Sequence, residues 1–498
     1  MKTNIHNSIQ YPNPIALKGM RKWVSLTFMG LILSSCITAS DLEADFAPSA
    51  NPQTVNTVQQ NDERAKLGAA QHPKILTSYG GEYQDLGTSK MVARIVGILT
   101  TVSENPLQSY RITILDSPDV NAFALPGGYL YLTRGLLALA NDEAEVAAVI
   151  SHEMAHVIAN HGVQRQQRQD AALIAGQVVS EILTGRLASS SVLARSKLRL
   201  AAFSRQQELQ ADEIGIRMLA QAGYDPFAAV RFLKSLEAYS TFNSKSPSGL
   251  NFLSSHPSTP KRRAAALRHA ERFKSERAKI TNRTAFLKDI DGLTFGDNAQ
   301  HGYVRGQTFL HPGLGIRFDV PQGFEIDNTS DAVIANGPND IASQFDAVEI
   351  EAGSTLRSYI SSGWIKGLDA SSIRDTTING LPALTARAKA DRWIFDVTII
   401  QYREFYYRFL TAVPRNKARS LLIAGNISGT FKALTQSEAE NLKPLRIRVV
   451  QVQAGDSLAS IATKMEINSR KEEQLRILNA LSPGASLQPG TLIKIVAE

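Results

Sequence analysis

The stretch Ala148 to Gly162 reads AVISHEMAHVIANHG and brings His152, Glu153 and His156 within five positions of one another. Helical residues advance by about 100°, so positions four apart lie about 40° apart on one face. His152 and His156 are therefore spaced to offer two imidazole nitrogens to a single metal ion. Glu153 follows the first histidine directly, off that axis, where its carboxylate reaches a water beside the ion rather than the ion itself. Zinc lowers the pKa of such a water to about 7, and a carboxylate can take its proton as it attacks a carbonyl. The spacing suits hydrolysis.

A catalytic zinc also needs a third protein ligand. His161 is five residues past His156, about 140° round a continuing helix, and so points away from the site. A metzincin pattern would need Gly at 159 and His at 162, but Ala159 and Gly162 stand there. His161 therefore reads as a helix-end residue near the negative pole of the helix dipole. Phe203 to Gly215, FSRQQELQADEIG, offers a better ligand. Glu208 and Asp212 share a helix face; Glu208 can complete a two-His-one-Glu set, and Asp212 can accept the second ring N–H of a ligating histidine. A solvated acidic face with Arg205 as its salt-bridge partner is the competing reading. His256, on a loop stiffened by Pro257, can donate to an oxyanion or fill the open metal position, or have no role.

The elements that must hold these residues are partly visible. Arg111 to Leu115 reads as a strand, and Gly128 to Thr133 as another after the turn at Pro126-Gly127. Asn141 can cap the site helix, with Asp142, Glu143 and Glu145 in its first turn, where acids suit the dipole. Ala171 to Leu183 is apolar but too short to span a bilayer, and reads as a buried helix or a lid. Tyr224-Asp225-Pro226 marks a helix break, Ser246 to Ser258 a loop, and a charged helix ends near Lys279.

The chain has 498 residues, 43% of them hydrophobic, which calls for several domains with real cores. Its net charge is +8, but no dense basic run or basic-aromatic alternation is present, so nucleic-acid binding is not expected. Lys18, Arg21 and Lys22 precede the apolar run Trp23 to Leu33 and Ser34-Ser35-Cys36, the pattern of a secretory signal. Leu33 to Cys36 resembles the lipobox of bacterial lipoproteins, and Cys36 is the only cysteine, so lipidation at Cys36 is expected. By resemblance to enterobacterial lipoproteins, Ile37 rather than Asp after the cysteine favours the outer membrane.

The expected architecture is a multidomain α+β chain. It comprises a signal peptide (1–36), a tether (37–67), a mainly helical metallopeptidase domain with a small sheet (68–280), an α+β scaffold or interaction domain (300–445) and a C-terminal module (446–498). The middle segment alternates in short runs such as IRFDV, WIFDVTII and FYYRFLTAV; it is faintly similar to PsbP/Mog-type folds and carries no ligand cluster. The last segment reads strand-helix-helix-strand. Gly455-Asp456-Ser457-Leu458, Asn479 and Leu487-Gln488-Pro489-Gly490 make it resemble a LysM module. Such modules bind the N-acetylglucosamine backbone of peptidoglycan; a purely structural role is the alternative.

Four pieces in order, NAFALPGGYLYLTRGLL (Asn121 to Leu137), SHEMAHV, SRQQELQAD and SHPST (Ser255 to Thr259), resemble zinc metallopeptidases of the HtpX and CAAX prenyl protease family. The likeness is strongest to the periplasmic, BepA-like branch. It implies a gluzincin fold with one Zn²⁺ held by His152, His156 and Glu208, and Glu153 as general base. It also implies that the strand at Gly128, Tyr129, Leu130 and Tyr131 is the edge on which an extended peptide lies. The expectation is thus a zinc endopeptidase, lipid-anchored on the periplasmic side of the cell envelope, cleaving misfolded or stalled envelope proteins. A metal-stabilised assembly factor and a peptidoglycan amidase are the alternatives.

Overall fold

A computed structural model describes residues 63–165, 203–243, 252–329, 332–390, 392–420, 426–467, 469–482 and 484–498. The leader with Cys36, most of the tether and the apolar run Ala171 to Leu183 lie outside the described residues. The described residues all belong to one compact unit, Pro48–Glu498.

Two helices open it, α1 (Glu63–Ser78) and α2 (Leu86–Thr101), the second capped by Asp85, whose side chain accepts from Thr88 N–H. A small sheet follows: β1 (Arg111–Leu115), β2 (Ala122–Leu125) and β3 (Tyr129–Thr133), in the order β1-β3-β2. The turn between β2 and β3 runs through Gly127 and Gly128, both in the left-handed region at φ 84° and 86°. A Cβ on Gly128 would also lie 2.2 Å from the Ser109 carbonyl oxygen, so only glycine fits there.

This order corrects one expectation. The strand containing Tyr129, Leu130 and Tyr131 is central, parallel to β1 on one side and antiparallel to β2 on the other. Gly128, Tyr129, Leu130 and Tyr131 therefore offer no free edge to a peptide. Of the two edge strands, β1 is bridged at Leu115 by Glu82, which leaves β2, a strand the sequence reading did not isolate. Leu130, Tyr131 and Leu132 are 0%, 0% and 1% exposed, and burial on both faces is what a central strand requires.

α3 (Arg134–Leu139) leads into the site helix α4 (Glu143–Ile158). The cap of α4 is Asp142, one residue later than expected; its side chain accepts from Glu145 N–H at 2.9 Å. Asn141 has a different task, its own N–H donating to Glu145 Oε2 at 2.8 Å. α5 (Arg205–Gln221) begins with a capping box in which Ser204 and Gln207 satisfy each other's backbone. Then come α6 (Phe227–Phe242), α7 (Phe252–Ser255), α8 (Pro260–Phe273) and α9 (Arg283–Asp289). The charged helix thus ends at Phe273, short of Lys279. Val146, Ile150 and Met154 of α4 share a buried core with Leu130, Leu132, Leu136, Ile95 and Leu219.

The middle segment builds two antiparallel sheets. One has seven strands, β7 (Glu325–Asn328), β8 (Val333–Asn336), β9 (Ala342–Glu349), β10 (Leu368–Ile378), β11 (Leu381–Lys389), β12 (Trp393–Tyr402) and β13 (Phe405–Pro414); the other has four, β4 (Tyr303–Arg305), β5 (Thr308–His311), β6 (Ile316–Asp319) and β14 (Lys432–Ala433). Phe309, Phe318, Phe345, Phe409 and Phe431 form the core between them. At the C-terminus, β15 (Arg446–Gln451), α11 (Leu458–Thr463), α12 (Lys471–Leu478) and β16 (Leu492–Ala497) give the strand-helix-helix-strand order; α10 (Leu356–Ile360) lies in the middle segment. Among the described residues no helix is long and apolar enough to cross a membrane.

Candidate metal centre

α4 and α5 approach closely where His152 meets Gly215. A Cβ on Gly215 would lie 3.1 Å from the backbone nitrogen of His152, so glycine lets the helices cross nearly backbone to backbone. One turn before Gly215 is Asp212, and one turn before that is Glu208. Their carboxylates are thereby delivered to the imidazoles of α4, and α7 brings His256 in from a third direction.

The result is a buried cluster: His152, Glu153, His156, Glu208 and His256 are 6%, 1%, 2%, 2% and 0% exposed. One ligand atom each from His152, His156, Glu208 and His256 lies within 4.8 Å of the others, the one such convergence of three or more potential ligands among the described residues. His152 Nε2 is 3.1 Å from His156 Nε2 and 3.2 Å from His256 Nδ1. His256 Nδ1 is 3.0 Å from Glu208 Oε1. Glu208 approaches both His152 Nε2 and His156 Nε2 to 3.6 Å. Ligands 2.0–2.1 Å from a tetrahedral zinc stand about 3.4 Å apart, so four side chains outline a polyhedron of the right size.

Donor chemistry agrees. Neither oxygen of Glu153 accepts a hydrogen bond, although both are buried, and His256 Nε2, 3.4 Å from Oε1, is likewise unpartnered. A buried carboxylate without donors is costly unless a cation or a water answers it. The residues fit a zinc ion.

Around the cluster a second layer sets orientation and charge. Asp212 Oδ1 is 3.0 Å from His152 Nδ1. Arg262 from α8 donates to both Asp212 oxygens at 2.6 and 2.9 Å and pairs with Glu208 Oε2 at 2.7 Å. Burial alone would push His152 down, but its bonds to Asp212 and Glu208 outweigh that and raise it to about 9. Burial likewise opposes ionisation of Glu208, yet the charge of His256 and the bond from His152 hold it well below the carboxylate range. Burial, then the neighbouring His152 and His256, hold His156 well below its ordinary value and so in the neutral, ligating form.

Several expectations need amending. The acidic pair of α5 is not a solvated face; its partner is Arg262, not the exposed Arg205. His161 does not point away. The helix stops at Ile158 and Asn160 takes a left-handed conformation at φ 53°, turning the chain back so that His161 Nδ1 lies 3.0 Å from His156 Nδ1. Its Nε2 meets Gln210 Oε1 at 3.0 Å. Phe203 stacks on His156 with ring centroids 3.9 Å apart, and Phe252 on His256 at 4.4 Å. The sequence reading missed Arg262, Phe203 and Phe252; the SHPST motif next to Arg262 was the available clue.

Residues 88–271 match the model of Peptidase family M48, and residues 450–496 that of the LysM domain. The chain contains an M48 peptidase domain and a LysM domain. It is 29% identical over 222 residues to the mitochondrial metalloendopeptidase OMA1 of Schizosaccharomyces pombe, covering 44% of this chain and 64% of that protein. It is 27% identical over 329 residues to the beta-barrel assembly-enhancing protease of Yersinia pestis, covering 61% of this chain and 65% of that one. The Escherichia coli K12 protein of the same name is 29% identical over 174 residues, covering 33% and 35%. The chain thus spans less than two thirds of the length of these curated relatives. A solution structure of PsbP from Synechocystis aligns with TM-score 0.21 at 12% identity over 26% of this chain and 98% of that one, too slight to argue from. Within the M48 domain fall all four converging side chains, Glu153, Asp212 and Arg262.

Proposed function

We propose that the protein is a zinc metalloendopeptidase of the bacterial cell envelope, acting on unfolded or misassembled envelope proteins. The observation that carries this reading is the convergence of His152, His156 and Glu208 from two helices beside an unsatisfied Glu153. The names of the relatives, a mitochondrial metalloendopeptidase and a beta-barrel assembly-enhancing protease, support the same class, and the bacterial one suits the envelope.

His152, His156 and Glu208 would hold the ion, Asp212 and Arg262 fixing the first and third, and His161 the second. Zinc so held supplies Lewis acidity toward a carbonyl and acidifies water to a pKa of about 7. Glu153 takes the proton of the attacking water on its free oxygens and returns it to the departing amine nitrogen. The peptide lies along β2. Thr133 N–H donates to Asn121 O at 3.0 Å, so by antiparallel alternation the N–H and C=O groups of Ala122 and Ala124 point away from β3; Ala122 is buried, and the half-buried Ala124 offers its pair to a peptide. Such pairing reads backbone rather than side chains, which suits substrates selected by disorder rather than sequence. A crevice lined by Leu125, Pro126, His156, Val157, Val163 and Phe203 adjoins that strand.

His256 stands at the fourth corner of the polyhedron. The four-residue set describes a latent state, with His256 withdrawing to admit substrate and then turning toward the oxyanion. Export and lipidation at Cys36 place the enzyme on the periplasmic side of the outer membrane in this reading, and its LysM domain is compatible with contact to peptidoglycan.

The test is Glu153→Gln, which keeps shape and removes the base. Casein cleavage should fall by about 10² to 10⁴-fold with zinc stoichiometry unchanged. Equal cleavage by both forms refutes the peptidase reading, and release of muropeptides from purified sacculi would turn it toward amidase chemistry.

A further inference from the structure

The LysM domain does not hang from the rest of the chain. Ile447, Val452, Ile493 and Ile495 belong to the same buried cluster as Leu136, Leu139, Val146 and Ile150 of α3 and α4. The chain after α9 pairs with β15: Gly292 N–H donates to Ile447 O at 2.8 Å, and Phe295 N–H to Leu445 O at 2.7 Å. Arg470 donates to Phe242 O at 2.9 Å, with its guanidinium 3.8 Å from the Phe242 ring centroid.

At the centre of this contact is a lysine where an apolar residue would be expected. Lys494 lies in β16 within LIKIV and is 0% exposed. Its Nζ donates to the carbonyls of Ala138, Leu139 and Ala140 at 2.7, 3.1 and 2.6 Å. An ammonium has three N–H donors and no acceptor, so these three carbonyls account for its full capacity in the charged form. They are also the terminal carbonyls of α3, which have no partner within their own helix and form the negative end of its dipole. Asn479, the C-cap of α12, braces the lysine from behind, accepting from Lys494 N–H at 2.7 Å and donating to Lys494 O at 2.8 Å.

The counter-charge comes from the active-site helix. Glu145, in the first turn of α4, is 1% exposed and interacts electrostatically with Lys494. Its Oε2 accepts from Asn141 N–H, and Arg283 spans the same seam, from Asn141 O at 2.6 Å to Leu492 O at 3.2 Å. His152 follows Glu145 by two turns of the same rigid helix, about 10 Å along its axis. Burial pushes Lys494 down, against which Glu145 is the largest opposing charge; burial pushes Glu145 up, opposed by Asn141 N–H, by Arg231 at 3.7 Å and by Lys494.

We propose that the LysM domain is an intramolecular clamp on the active-site helix, and that Lys494 is the positioning residue that pins the α3–α4 corner. Whatever this domain binds on its exposed side, it is bound by a part of the peptidase body. The activity arm of the test rests on the zinc-peptidase reading above; the exchange arm does not.

The experiment uses the full chain with Lys494→Met, which keeps the length of the stem and removes the charge. Amide hydrogen exchange should rise by about tenfold or more in peptides covering 138–150, while those covering 458–463 remain protected. Zinc should pass to a chelator faster, and kcat on casein, referred to the folded, zinc-loaded fraction so that loss of folded protein does not enter it, should fall with KM unchanged. Glu145→Gln provides a second variant should Lys494→Met not accumulate, and should raise exchange over the same peptides. Combining the two should cost less than their separate effects together, because each removes the other's partner. Exchange within about twofold of wild type at 138–150 in both variants, or strictly additive effects, overturns the clamp. A wild type inactive on casein, with the exchange effect still seen in the variants, would sink the peptidase reading alone.

Discussion

Asp212 Oδ1 stands 3.0 Å from Nδ1 of His152, the ring nitrogen that faces away from the metal centre. Arg262 holds the same carboxylate with two donors, and this pairing, not Asp212 alone, fixes the imidazole. Asp212→Asn should therefore lower zinc affinity by about 10- to 100-fold, since partners of ligating histidines set both tautomer and basicity. Competition with a chromogenic chelator measures it. Unchanged affinity would mean that the α4–α5 crossing at Gly215 alone holds His152 in place.

A second prediction concerns acid and stability. The crevice between the peptidase sheet and the middle segment collects Asp116, Asp119, Asp297 and Asp327. Burial, then the charge of Asp327, pushes Asp119 up from 3.8 to about 6. A carboxyl whose folded value is raised is favoured in its protonated form, so the fold loses stability as pH rises through that window. Asp119→Asn should thus stabilise the protein at pH 7, by at most about 3 kcal/mol, and the gain should vanish near pH 4. Thermal melts of both forms at the two pH values decide it; an equal difference at both would remove the ionisation argument.

What could be read from the sequence was local. His152, Glu153 and His156 lie within two turns of helix, and Glu208 with Asp212 within another, so periodicity alone exposes both faces. Sheet order is not local: a run such as GYLYLT says strand, while its central place emerges only once β1 and β2 flank it. Asn160 illustrates a different limit, because a single left-handed residue turned His161 from a bystander into a neighbour of His156. Arg262 reaches Asp212 across 50 residues, and nothing in its own helix marks it as special. Lys494 was visible as a charge inside an apolar strand, yet only packing shows what it serves.

The reassigned edge makes its own prediction. Proline lacks an N–H and is tolerated in a strand only where that group faces outward. Ala124 is such a position, opposite Leu130 across β2 and β3. Ala124→Pro should leave folding and zinc content intact but raise KM for an unfolded protein substrate by about tenfold, the worth of one or two backbone hydrogen bonds. Leu130→Pro, in the central strand, should instead abolish soluble protein. A reversed outcome, with the Ala124 variant fully active, would return the peptide site to another surface.

The last prediction separates a latent centre from an open one. His256 Nδ1 is 3.2 Å from His152 Nε2 and 3.0 Å from Glu208 Oε1, while its ring stacks on Phe252. A fourth protein ligand closes the coordination that catalysis needs open. His256→Ala should therefore bind zinc more weakly, by about tenfold, because one ligand is gone. If His256 serves only to close the site, the same variant should cleave casein faster than wild type at saturating zinc. If it also donates to the oxyanion, kcat should fall by about 10²-fold instead. Titrating zinc before the kinetic comparison keeps the affinity loss out of the rate, so the direction of the change in kcat assigns the role. A variant indistinguishable from wild type in both measurements would make His256 a packing residue.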